Sequence, residues 1–128
     1  MTCKVVLNVE SGALPQRGYV FEGPAECVIG RGDDCPLQVP AMEVSRHHCL
    51  LEIDPPKVRI RDLGSFNGTF VNGMMIGRRD RSQPPEGRPT RTLPAVELLP
   101  GDEVKVGATV FQVAVIDGDQ QADSAAGS

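Results

Sequence analysis

The chain has 128 residues, which suits one compact domain and leaves no room for two. Hydrophobic residues make up 40% of it, yet aromatics reach only 4% and tryptophan is absent, so a core must come from Val, Leu and Ile, residues that favour strands. A formal charge of −4 argues against a general nucleic-acid binder and makes any anion site a local feature.

In chain order, Lys4–Glu10 and Gly18–Glu22 read as two strands around a Gly12–Gln16 turn. Glu26–Ile29 is a third strand, stopped by Gly30, and Leu37–Val39 is a short β piece between Pro36 and Pro40. His48–Ile53 follows and ends at Pro55-Pro56. Val58–Asp62 alternates, with Val58 and Ile60 inward and Arg59 and Arg61 outward. Asn72-Gly73 between Thr69–Val71 and Met74–Ile76 is a strong hairpin signal, and Glu103–Val106 and Thr109–Ile116 form a second hairpin around Gly107-Ala108. The 14 glycines and 11 prolines punctuate the chain often, and no segment keeps a helical period. The pattern predicts an all-β sandwich.

Two segments lie outside the pattern. Residues 77–94 hold five arginines (Arg78, Arg79, Arg81, Arg88, Arg91) and four prolines, and read as a long exposed loop between two strands. Residues 117–128 are small, polar and acidic, as in a flexible tail or linker, so the chain is readable as a domain cut from a longer protein. Residues 1–116 are then the folded domain. The N-terminus shows no charged-then-apolar leader, and no run approaches the ~20 apolar residues of a membrane span. Cys3, Cys27, Cys35 and Cys49 include no CxxC pair, which argues against a structural zinc of the usual kind. The expectation is a soluble, cytoplasmic protein in a reducing compartment, with no membrane partner.

Three clusters between strands gather hydroxyl donors, arginines and glycine turns. Arg31, directly after Gly30, emerges from a strand end and offers a planar fork that matches phosphate or carboxylate oxygens, although a solvated surface arginine would look the same. Ser45 and Arg46 precede the His48 strand, adding a hydroxyl and a second cation, with His48 placed to brace the loop from behind. Asn67, in a turn freed by Gly68, carries the donor and acceptor needed to clamp another chain's backbone amide, and equally fits a turn former that bonds its own backbone. Each cluster is weak alone, and their order and separation make the signal specific.

That combination resembles the forkhead-associated (FHA) domain family, from about Val5 to Val115 and most densely from Gly30 to Gly73. Ile60–Ser65 and Leu99–Gly107 sit where the family has supporting motifs. The resemblance implies a β-sandwich of about eleven strands that binds a phosphothreonine peptide with loops at one end. It implies that Arg31, Ser45 (hydroxyl and backbone) and Arg46 contact the phosphate, and that Asn67 holds the peptide backbone. His48 would join the loops without touching ligand, and Gly30, Gly68, Thr69, Asn72 and Gly73 would set their geometry. Phe66 departs from the pattern, since the family usually has a polar residue there. Its N–H could still reach the phosphate, and its ring could pack on an apolar residue of the ligand.

The implied partner is a phosphothreonine-containing protein or peptide, such as a Ser/Thr kinase or its substrate, with no cofactor and no metal. Catalysis would need an activated nucleophile and a base. Ser45, His47, His48 and Cys49 supply the types, but neighbours at a strand start point in different directions, so a binding module rather than an enzyme is expected. The rival reading is a phosphate-independent scaffold or oligomerisation domain.

Overall fold

The computed structural model describes residues 3–12, 14, 16–79 and 95–117. Eleven strands occur among them: β1 (Cys3–Ser11), β2 (Gly18–Phe21), β3 (Ala25–Gly30), β4 (Leu37–Gln38), β5 (Cys49–Asp54), β6 (Lys57–Asp62), β7 (Thr69–Val71), β8 (Met74–Gly77), β9 (Ala95–Leu98), β10 (Glu103–Val106) and β11 (Thr109–Asp117). They form a six-stranded sheet in the order β2-β1-β11-β10-β7-β8 and a five-stranded sheet in the order β4-β3-β5-β6-β9. The fold is the all-β sandwich that the strand pattern predicts. Among the described residues no helix is long and apolar enough to cross a membrane.

Alternation explains the layering. On β1, Val5, Leu7 and Val9 are buried while the residues between them are more open. On the facing sheet, Cys49, Leu51 and Ile53 of β5 and Val58 and Ile60 of β6 point inward. Phe111 and Val113 of β11 complete the middle of the core. Each fully buried aliphatic side chain contributes roughly 1.5–3 kcal/mol. Branched aliphatics therefore do here what tryptophan and tyrosine do in more aromatic sandwiches.

Asn72 and Gly73, with φ of 51° and 84°, make the β7–β8 turn, whose twist suits two adjacent strands. Asn72 also ties this hairpin to β10: its Nδ2 donates to Asp102 Oδ1 at 3.0 Å, and its Oδ1 accepts from the Glu103 N–H at 2.9 Å.

Three registers bring the chemistry to one end. Ile29 near the end of β3 pairs with Cys49 at the start of β5, and Cys49 pairs with Asp62 at the end of β6. Thr69, opening β7, pairs with Gly77, closing β8. The segments 31–36, 39–48 and 63–68 therefore leave or enter the sandwich on the same side. Most of the predicted 77–94 loop, including Arg81, Arg88 and Arg91, lies outside the described residues, as do residues 118–128 of the predicted tail.

Candidate functional site

Arg31 follows the last residue of β3, and its exposed side chain is fixed at one point: Nε donates to the Val44 carbonyl at 3.0 Å. Val44 is itself buried, so the arginine is steadied by a loop rooted in the core. Backbone bonds lock the two segments together, from Arg31 N–H to Ser45 O at 2.9 Å and from Gly32 N–H to Arg46 O at 3.0 Å. The approach is close enough to exclude a side chain at Gly30. A Cβ there would lie 2.1 Å from the Arg46 carbonyl oxygen. Arg46 is likewise exposed, on the segment bonded to that of Arg31, so both guanidinium forks are open to solvent.

His48 joins this pair to the second half of the site. Fully buried, it accepts the Ser45 N–H at Nδ1 (3.1 Å), and its Nε2 donates to the Gly68 carbonyl at 2.8 Å. Both bonds require a neutral ring with its proton on Nε2. Burial, the largest influence, lowers its pKa, which agrees with that state.

Ser45 Oγ accepts the Phe66 N–H at 2.9 Å. The hydroxyl is thereby oriented as an acceptor on one side while its own proton remains to be donated elsewhere. The N–H groups of Ser45 and Phe66 are engaged within the site, by His48 Nδ1 and Ser45 Oγ.

The 62–69 loop is built around a carboxylate. Buried Asp62 accepts from the N–H groups of Gly64 (2.8 Å) and Ser65 (2.9 Å), the Ser65 hydroxyl (2.5 Å) and the Thr69 hydroxyl (2.6 Å). Ser65 Oγ in turn accepts the Gly68 N–H at 2.9 Å. The staple presents Asn67 at the surface, where its Nδ2 donates to the Glu43 carbonyl at 2.8 Å and its Oδ1 faces the role of acceptor. The structure thus brings Gly30, Arg31, Ser45, Arg46, His48, Phe66, Asn67, Gly68 and Thr69 together. Asn72 and Gly73 sit apart, in the β7–β8 turn.

Phe66 is 47% exposed, and the Arg79 guanidinium lies over its ring, 5.2 Å from the centroid. Arg79 is anchored beside it by its N–H to the Ser65 carbonyl at 2.7 Å. Arg79 and Asp62 were not singled out from sequence. For Asp62 a signal existed: it continues the inward phase of Val58 and Ile60, so a carboxylate falls where the core is expected. No sequence signal separates Arg79 from its neighbour Arg78.

Cys49 and His48, two of the residue types a catalyst would draw on, are buried. The Cys49 thiol is fully buried, and burial pushes its pKa upward; burial likewise pushes Cys27 up to about 11. Both ring nitrogens of His48 are occupied.

The FHA domain profile matches residues 27–107, more than half of the chain. The chain belongs to the FHA domain family. This is a family of binding modules rather than of catalysts. Over 53 residues the chain is 43% identical to the ABC transporter ATP-binding/permease protein Rv1747 of Mycobacterium tuberculosis, a stretch covering 41% of this chain and 6% of that protein. The FHA chain spans only 6%, 9% and 2% of three curated relatives it matches. Among solved structures it is similar to an FHA domain characterised for phosphothreonine-dependent interactions, at 26% identity and a TM-score of 0.65, covering 87% of this chain and 95% of that one. It is also similar to EmbR of Mycobacterium tuberculosis in complex with a low affinity phosphopeptide, at 25% identity and a TM-score of 0.67, covering 90% of this chain and 25% of that one.

Proposed function

We propose that this FHA domain binds phosphothreonine in a protein phosphorylated by a Ser/Thr kinase, the kinase itself included, and so recruits that protein. The observation that supports the reading is that the exposed Arg31 and Arg46 lie on two segments bonded to each other, with Ser45 between them bonded to Phe66 next to exposed Asn67. A phosphothreonine offers about −1.5 to −2 charges and three acceptor oxygens near neutral pH. Two forks and one hydroxyl donor match that charge and that acceptor count. The Asn67 carbonyl oxygen is suited to accept a backbone N–H of the peptide next to the phosphorylated residue. Residues up to 117, where β11 ends, act as the binding unit, and 118–128 as its linker. The four free cysteines suit a reducing, cytoplasmic setting.

Charge-assisted hydrogen bonds contribute roughly 1.5–3 kcal/mol each. Two or three of them supply roughly 3–9 kcal/mol before the cost of ordering a flexible peptide, so further peptide contacts have to bring the total to about −8 kcal/mol, the micromolar affinity expected of a reversible module. Calorimetry with matched phosphorylated and plain threonine peptides tests this. The plain peptide is expected to bind roughly tenfold more weakly or worse, and Arg31→Ala or Ser45→Ala to abolish most of the binding. Equal affinity for the two peptides would refute the reading.

A phosphate-independent scaffold has one observation in its favour, the exposure of Phe66, Met75 and Met42. Partner capture that survives phosphatase treatment of the partner would select it.

A further inference from the structure

Asp34, Cys35 and His47 meet beside Arg46. One carboxylate oxygen, one sulfur and one ring nitrogen lie within 4.8 Å of one another, and His47 Nε2 stands 2.9 Å from Asp34 Oδ2. Asp34 and Cys35 belong to the β3–β4 loop and His47 to the turn before β5, the two segments that carry Arg31 and Arg46. We propose that Asp34, Cys35 and His47 form a divalent transition-metal site, with Zn2+ as the fitting ion, which clamps the β3–β4 loop to the Ser45–His48 turn.

The donor set selects the metal. Thiolate and imidazole suit borderline-soft ions such as Zn2+, whereas Ca2+ and Mg2+ require shells of oxygen. Bond lengths of about 2.3 Å to sulfur and about 2.0–2.2 Å to nitrogen and oxygen put tetrahedral donors roughly 3.3–3.7 Å apart. The widest separation in the cluster therefore has to close by about 1 Å. Asp34 and His47 are exposed side chains that can turn to close it, while Cys35 is buried and fixed. Nε2 and Oδ2 now share a hydrogen bond; the ion would take the place of that proton, which passes through solvent to Nδ1 so that the ring stays neutral, with water in the fourth position.

Burial of the thiol and the nearby Arg46 cation count against the ion, and the ligands' own charges and hydrogen bonds offset them. Metal binding releases the Cys35 thiol proton to solvent and forms one bond each to sulfur, nitrogen and oxygen. The thiol now donates to the Arg46 carbonyl at 3.1 Å. Its loss leaves that carbonyl still paired with the Gly32 N–H at 3.0 Å. The two positive charges are cancelled by the thiolate and the Asp34 carboxylate. Arg46, the cation that faces the cluster, is left with its own charge, and Asp33 adds a negative one nearby. Spacing conceals the site in the sequence, because two ligands are adjacent and the third comes from the next loop.

The test is titration of the reduced, full-length chain with CoCl2 alone. One equivalent is expected to saturate a sulfur-to-cobalt absorption in the near ultraviolet, which ZnCl2 then displaces. Cys35→Ser removes the band and Cys3→Ser keeps it. His47→Gln and Asp34→Asn, at exposed positions where folding is not at stake, each weaken Co2+ binding roughly tenfold or more. ZnCl2 raises the melting temperature of the parent chain and not of His47→Gln. The site is overturned by absence of the band, by its loss in Cys3→Ser, or by undiminished binding in both surface variants. Binding without any rise in melting temperature would overturn the clamp.

Discussion

The arginine side of the site and the 62–69 loop meet across one histidine, yet different forces hold them. The Arg31–Arg46 side is made of backbone bonds between two segments, with glycine allowing close approach and both cations left in solvent. The 62–69 loop is wrapped around a buried negative charge whose four hydrogen bonds all come from its own residues. A site built for an anion thus carries a carboxylate in its interior. This is tolerable because Asp62 is surrounded by donors, while the phosphate would meet exposed guanidinium groups. Shape on one side and charge saturation on the other do the same work of presenting a loop.

Substitutions separate the two principles. Asp62→Ala strands two hydroxyls and two N–H groups at once, so a loss of about 3–4 kcal/mol is expected in urea denaturation. A loss under about 1 kcal/mol would show that those donors find other partners. Gly30→Ala places a methyl against the Arg46 carbonyl and should cost about 2–3 kcal/mol, with phosphopeptide affinity falling as the two segments part.

Acid probes the histidine between them. Its folded pKa lies below the ordinary 6.5, so the unfolded chain takes up the proton more readily. The contribution of His48 is complete above pH 6.5 and declines as pH falls below it, by no more than about 1.4 kcal/mol per unit, until the folded ring also titrates. Urea midpoints at roughly pH 7.5 and 5.5 should show the drop, and His48→Gln should flatten it. The smallest effect belongs to the rim. Arg79→Ala removes a cation–π contact worth about 0.5–1 kcal/mol, and phosphopeptide affinity should fall about threefold by calorimetry. No change would restrict Arg79 to bracing Phe66.

Much of this was legible in the chain itself. Strand positions followed from alternation, and Asn72-Gly73 announced its turn, because both signals depend on residues close in sequence. The residues proposed to contact ligand, Arg31, Ser45, Arg46 and Asn67, are marked by residue type and order. The bonds that brace them are not. That the Phe66 N–H belongs to Ser45 depends on loops 21 residues apart meeting at a particular register, and the Ser45 N–H goes to His48, three residues on, because the turn folds back onto the buried ring. Arg79 gained its place over Phe66 only because β8 ends beside the 62–69 loop.

By itself the sequence determined a strand-rich sandwich and the residue types available at its loops, since backbone propensity and side-chain period are local properties. Tertiary structure alone decided which donors remain to meet a ligand and which are spent within the protein. A hydrogen bond is settled by distances of about 3 Å between atoms that the chain order keeps apart.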